Sequence, residues 1–235
     1  SALTDRLSEQ LGDRLRLNAP VAGISSAGGR YKVHLEDGAS EECDRLVLAV
    51  PAYAQQKILQ DFSPDISGLV SAIPYPSLSV VCMGFSGPLR GKGLDGFGFL
   101  VPSREDRGIL GTVVDSNVFP DRAPEGSVLL RTMVGGARVP ERAELPDQRL
   151  VDLVLDDLRS IMGLRAEPGF VRIWRHRRAI PQYLVGHAGR LDAIDKALEK
   201  HPGLLLTGNA FRGVSLNDCV VNAARVAESL TARGD

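Results

Sequence analysis

The sequence predicts a mixed α/β (α+β) fold, and three stretches carry that prediction. Leu204-Leu-Leu206 is a buried-strand run too short for a helix. A polar turn bracketed by Gly208 and Gly213 follows, then helical spacing at Leu216, Val220, Ala223, Ala224, Ala227 and Leu230. Asp44–Pro51 is nearly all apolar and ends in proline, as a strand covered on both faces of an α/β sheet does. Residues 98–101, 108–114 and 127–134 read as strands separated by turn-rich segments, which suits an antiparallel sheet. The strand, glycine turn and helix at the C-terminal end form a seat for an electron-rich group, because the first turn of a helix carries free N–H groups. Ser215 and Asn217 are the candidate caps. An ordinary tight turn before a C-terminal helix fits the same geometry.

The remaining elements follow in chain order. Ser1 to Leu11 is an amphipathic helix with Leu3, Leu7 and Leu11 on one side, and it begins without a Met, as a domain fragment would. Leu15 to Ile24 reads as a strand interrupted by Pro20, and Ala27–Arg30 as a turn. Tyr31–Glu36 alternates as a half-buried strand with His34 on its polar side, and Asp37-Gly38 makes the next turn. Ala52 to Phe62 is a short helix. Pro74 and Pro76 bar a continuing helix and mark a boundary before the strand Leu78–Phe85. Gly91-Lys-Gly-Leu-Asp-Gly96 matches GxGxxG literally but runs into a strand instead of opening a helix, so it is a flexible loop. Leu145–Met162 is an amphipathic helix ended by Gly163, with Asp152, Asp156, Asp157 and Arg159 on a solvated face. A strand at Gly169–Trp174, the basic run Arg175–Arg178 and a helix at Arg190–Lys200 complete the pattern.

Composition excludes several classes. A net charge of -1 offers no electrostatic case for nucleic acid, and the short basic run around Trp174 does not create one. Cys43, Cys82 and Cys219 are an odd, widely spaced set, so they read as reduced thiols. The four histidines have no metal-ligand spacing, so no metal is expected. No apolar run is long enough to span a membrane, and the chain reads as a cytoplasmic protein.

The segment Gly208-Asn-Ala-Phe-Arg-Gly-Val-Ser-Leu-Asn-Asp-Cys219 resembles the C-terminal flavin signature of the protoporphyrinogen oxidase family, within the FAD-dependent amine oxidases. Gly96–Ser103, Ile109–Thr112, Phe119–Gly126, Met133–Ala137, Ala179–Tyr183 and Gly186-His187 are similar to further blocks of that family. The resemblance implies FAD as cofactor. It places Val21, Ala49, Pro51, His176, Gly208, Gly213, Val214, Ser215, Leu216 and Asn217 against the cofactor, and Leu100, Val113 and Met133 against the substrate. His176 stands where many members carry an aromatic residue, a departure from the pattern. His187 reads as a structural hydrogen-bonding residue. The implied layout is the distal part of an FAD-binding Rossmann-like domain at residues 1–55, a substrate-binding lobe at 56–203, and the returning strand and helix at 204–235.

The implied activity is the oxygen-dependent, six-electron oxidation of protoporphyrinogen or coproporphyrinogen in haem synthesis. The flavin carries the chemistry, so no catalytic side chain is required. The resemblance covers the family's C-terminal half, without the dinucleotide fingerprint that holds the FAD diphosphate, so the isolated chain is expected to bind FAD weakly and to be inactive. Peripheral association with the inner membrane and a homodimer stay open. So do two other readings: a flavin oxidoreductase acting on amines or polyenes, and a non-enzymatic binding module.

Overall fold

The computed structural model describes residues 2–87 and 89–231. Ser1 and residues 232–235, the ends of the expected first and last segments, lie outside them. In chain order the elements are α1 (Ala2–Leu11), β1 (Val21–Ala27), β2 (Arg30–Leu35), β3 (Ser40–Cys43), β4 (Leu46–Leu48), α2 (Ala52–Leu59), α3 (Pro64–Ser71) and β5 (Leu78–Ser86). They continue with β6 (Gly98–Leu100), β7 (Ile109–Val114), α4 (Asp115–Val118), β8 (Ser127–Gly135), α5 (Asp147–Met162), β9 (Phe170–His176), α6 (His187–Leu198), β10 (Leu204–Leu206) and α7 (Leu216–Thr231).

The elements divide into two compact units. The described residues up to Pro74 and those from Tyr183 onward form the first, and Tyr75–Gln182 the second. The boundary falls between the two prolines that forbid a continuing helix. The first unit therefore reaches beyond residue 55 and resumes before residue 204, because α2 packs on β1 and α3, and α3 packs on α6.

In the first unit β1, β2 and β3 form an antiparallel sheet, and β4 pairs in parallel with β10. The strand expected from Leu15 starts only at Val21, after Pro20. The Asp44–Pro51 run is extended only at Leu46–Leu48 and has one partner among the described strands. Burying such a run on both faces needs neighbours on both sides. Helix α3, whose first turn holds Pro64, lies in a stretch to which the sequence pattern assigns no element. The leucine stripe of α1 and much of the apolar side of α7 are exposed, including Val220 and Val221.

The second unit is a five-stranded sheet in the order β6-β7-β8-β5-β9, antiparallel at every pairing. Strand alternation gives it two unlike faces. Val81, Met83, Phe85, Leu130 and Val134 point to one face and pack against Leu150, Val154, Leu155 and Leu158 of α5. Gly163 ends that helix at φ 70°, a left-handed C-cap. Asp157 is not on the solvated face assigned to it. It is 9% exposed and accepts hydrogen bonds from the N–H groups of Gly108 (2.7 Å) and Ile109 (3.0 Å), pinning the start of β7 to α5.

Removing that carboxylate leaves two amides without their acceptor. Asp157→Ala should lower the unfolding free energy by about 2 kcal/mol in urea titration, the range for hydrogen bonds to a charged group. The exposed neighbour Asp156→Ala should change it by less than about 0.5 kcal/mol.

Candidate functional site

In the first unit the chain leaves the parallel pair side by side, at Ala49 and Thr207. The buried Gln55 locks this exit, its amide donating to the carbonyls of Leu48 (3.2 Å), Val50 (2.7 Å) and Thr207 (3.0 Å). A cavity of about 460 Å³ opens there, with Ala49, Pro51, Gly208, Val214 and Leu216 in its wall. Open α/β sheets bind ligands beyond the carboxyl ends of their parallel strands, where no side chain fills the gap. Gly208 crosses this wall at φ 121°, a conformation L side chains rarely adopt. Val214 and Leu216 are exposed beside it.

The turn between β10 and α7 is braced from its own unit. The Tyr183 hydroxyl accepts a hydrogen bond from the N–H of Gly213 and donates one to the carbonyl of Asn209, both 2.8 Å. Burial raises its pKa above the ordinary value of 10.0. Tyr183 stacks on His187 at 4.0 Å, and His187 donates through Nε2 to the carbonyl of Phe211 at 3.0 Å. That bond sets a structural role for His187. Asn222 donates to the Arg212 carbonyl from α7.

Ser215 is the cap of α7. Its hydroxyl accepts from the N–H of Asp218, and the Asp218 carboxylate accepts from the N–H and hydroxyl of Ser215 in return, a capping box. These hydrogen bonds hold Asp218 below its ordinary 3.8. The pair leaves the N–H groups of Leu216 and Asn217 as first-turn donors. A carboxylate at this end also offsets the positive potential of the helix, so the seat rests on its N–H donors more than on net positive charge. Gly213 has a different reason from the cofactor's space. A Cβ on it would lie 2.4 Å from Asp218, inside the capping box.

Of the ten residues expected at the cofactor, five line this crevice and three, Gly213, Ser215 and Asn217, lie in the turn and helix start behind it. Val21 opens β1 opposite Leu35, outside the lining. His176 belongs to the second unit, exposed at the end of β9.

The second unit carries a groove of about 770 Å³ on the sheet face away from α5. Register aligns Leu100, Gly111, Met133, Val80 and Trp174 in one row across five strands, and Val113, Arg131, Cys82 and Arg172 in the next. The three residues expected at the substrate therefore share this open face. The groove itself lies over the part nearest β9, with Val80, Cys82, Phe170 and Trp174 in its wall, and none of the three lines it. Asp115, read only as part of a turn, is buried there and takes two hydrogen bonds from Arg131, at 2.8 and 3.1 Å. Burial first, and the Asp115 carboxylate second, hold the Cys82 thiol above its ordinary range. The local sequence does not mark Gln55, Asp115 or Arg172 as site residues. Tyr183 alone had a sequence signal, its place in Ile180-Pro-Gln-Tyr183.

The profile of the family described as flavin containing amine oxidoreductase matches residues 1–231. The chain is 34% identical to the chloroplastic protoporphyrinogen oxidase of Nicotiana tabacum, covering 97% of this chain and 44% of that protein. It is 30% identical to the coproporphyrinogen III oxidase of Bacillus subtilis, covering 96% and 49%, and 34% identical to the protoporphyrinogen oxidase of Homo sapiens, covering 90% and 45%. The chain thus spans about half the length of the curated relatives it matches. A solved structure from Exiguobacterium sp. 255-15, assigned as a protoporphyrinogen oxidase, superposes with a TM-score of 0.81 at 31% identity, over 97% of this chain and 50% of that one. Putrescine oxidase bound to putrescine, at 15% identity and a TM-score of 0.67 over 99% and 52%, shares the fold.

Gly213→Ala should lower the unfolding free energy by about 1–3 kcal/mol, from the strained backbone and the displaced Asp218. Gly189→Ala, in open space within α6, should raise it by about 0.5–1 kcal/mol. Because the Asp218 pKa is depressed in the folded chain, its cap is fully formed above the unfolded value and is lost as pH falls through the folded one. Thermal melts followed by circular dichroism below pH 3.8 should therefore show a loss of stability that Asp218→Asn reduces.

Proposed function

The chain belongs to the flavin containing amine oxidoreductase family, and from that premise we propose that the full-length protein is an FAD-dependent, oxygen-consuming porphyrinogen oxidase. The observation that carries the proposal is the meeting of Ala49, Pro51, Gly208, Val214 and Leu216 in one crevice at the carboxyl ends of β4 and β10. These residues lie far apart in sequence and suit a flat ring: apolar walls, a glycine that keeps the backbone close, and two backbone donors. FAD, when bound, supplies the electron acceptor for a six-electron oxidation and passes the electrons to oxygen.

The side chains hold and orient. Val214 and Leu216 would exclude water from the ring, and the N–H groups of Leu216 and Asn217 would donate to an electron-rich edge. Since Asp218 offsets the helix potential, donation comes from these N–H groups more than from net charge. Val21 and His176 are proposed as further cofactor contacts on family likeness alone. Leu100, Val113 and Met133 offer a hydrophobic macrocycle the apolar part of the open sheet face, beside the groove, where burial supplies most of the affinity. The names of the relatives support both protoporphyrinogen and coproporphyrinogen as substrates.

The test is the full-length protein, purified and supplied with a porphyrinogen under air. The expected result is a yellow protein with flavin absorption, consuming oxygen as porphyrin fluorescence appears. A colourless protein inert with added FAD, or one that oxidises amines and no porphyrinogen, would overturn the proposal. Met133→Arg should raise KM or abolish turnover while the flavin spectrum stays intact, since a charge enters an apolar surface. Unchanged kinetics would remove Met133 from the substrate face.

A further inference from the structure

The groove of the second unit is apolar in its floor and basic in its charge. Three guanidinium groups, Arg122, Arg131 and Arg172, stand in its wall against the single carboxylate of Asp115. Asp115 is already engaged: its side chain is 3% exposed, Arg131 binds one oxygen at 2.8 Å and Arg122 approaches the other at 3.7 Å. The buried carboxylate fixes Arg131 in place and leaves part of its guanidinium facing the groove, since that side chain stays 39% exposed. Arg172 has no carboxylate within ion-pair distance among the described residues and lies over the Trp174 ring, 4.5 Å from its centre. A guanidinium stacked on an aromatic face is held flat, with its N–H edge turned outward in the fork geometry that matches a carboxylate.

Register sets the distance between these two cations. Arg131 and Arg172 both pair with Cys82, one from each neighbouring strand, so their backbones stand two strand spacings apart, about 10 Å. Between and beside them the wall is Val80, Leu129, Phe170 and Trp174. This arrangement suits a flat apolar ligand with carboxylates on its rim: the rings cover the floor and the carboxylates reach the two forks.

We infer that Arg172, stacked on Trp174, and Arg131, braced by Asp115, are the carboxylate-recognising pair of this groove, and that they make the protein favour the more highly carboxylated porphyrinogen. The inference rests on the functional reading above and deepens it. That reading leaves the substrate as either porphyrinogen, whereas the groove selects by the number of carboxylates. Each carboxylate met by a fork gains charge-assisted hydrogen bonds in a setting partly shielded from water, and a wall with three guanidinium groups against one carboxylate attracts a tetracarboxylate more than a dicarboxylate.

Arg172 gives the cleaner test, because replacing Arg131 would strand the buried Asp115 carboxylate. In the full-length protein, the Kd of a tetracarboxylate porphyrin is followed by fluorescence anisotropy, and KM is measured for tetracarboxylate and dicarboxylate porphyrinogens. Arg172→Gln should weaken binding of the tetracarboxylate about ten-fold, with the loss falling on KM, and should affect the dicarboxylate less. Arg172→Lys should recover part of the loss by restoring charge without the fork. The same Kd in Arg172→Gln and the unaltered protein would overturn the inference. So would equal affinity of the unaltered protein for the tetracarboxylate and its uncharged methyl ester, a comparison that needs no variant to fold. Oxidation of both porphyrinogens with no effect of Arg172 would leave the functional reading standing and remove this one. Arg172-dependent binding without oxidation of either would do the reverse.

Discussion

The parallel pairing of β4 with β10 is the contact on which the first unit depends. Leu46, Val47 and Leu48 meet Leu204, Leu205 and Leu206 in register, although most of the chain separates them. That pairing puts two chain exits next to each other, and Gln55 secures them by spending one amide group on three carbonyls. Without it Ala49 and Pro51 would have no geometric relation to Gly208 and Val214. The crevice exists because two short strands stop at the same level.

The turn that follows shows how a signature can serve architecture before chemistry. Gly208 is needed where the backbone crosses the crevice wall, while Gly213 is needed by Asp218. Ser215 spends its hydroxyl on capping α7, and Tyr183 and His187 brace the turn from below. What faces outward is backbone N–H and aliphatic side chain. Such a wall suits a flat ligand held by backbone donors and apolar contact.

The sheet of the second unit has one packed face and one open face. One side packs on α5, and Asp157 fastens the two together. The other side presents aligned rows of apolar and basic residues, held in place by the same ladder. The period of two along each strand makes both faces from one sequence, so a core residue and a groove residue are always neighbours in the chain.

The local pattern alone determined the helices at α5 and α7, the antiparallel strands β5 to β8, the boundary at Pro74 and Pro76 and the exclusion of the literal GxGxxG as a nucleotide loop. These follow from periodicity and from proline and glycine chemistry, which act over a few residues. The tertiary structure alone decided the roles of Asp157, Asp115 and Gln55 and the surroundings of Arg172. A carboxylate on a helix reads as solvated until a strand end arrives beside it, and an arginine in a basic run reads as surface until its neighbours across the sheet are known. The deciding partners, Arg131 for Asp115, Gly108 for Asp157 and Thr207 for Gln55, lie 16, 49 and 152 residues away, and nothing in the local sequence encodes a contact that only chain closure creates.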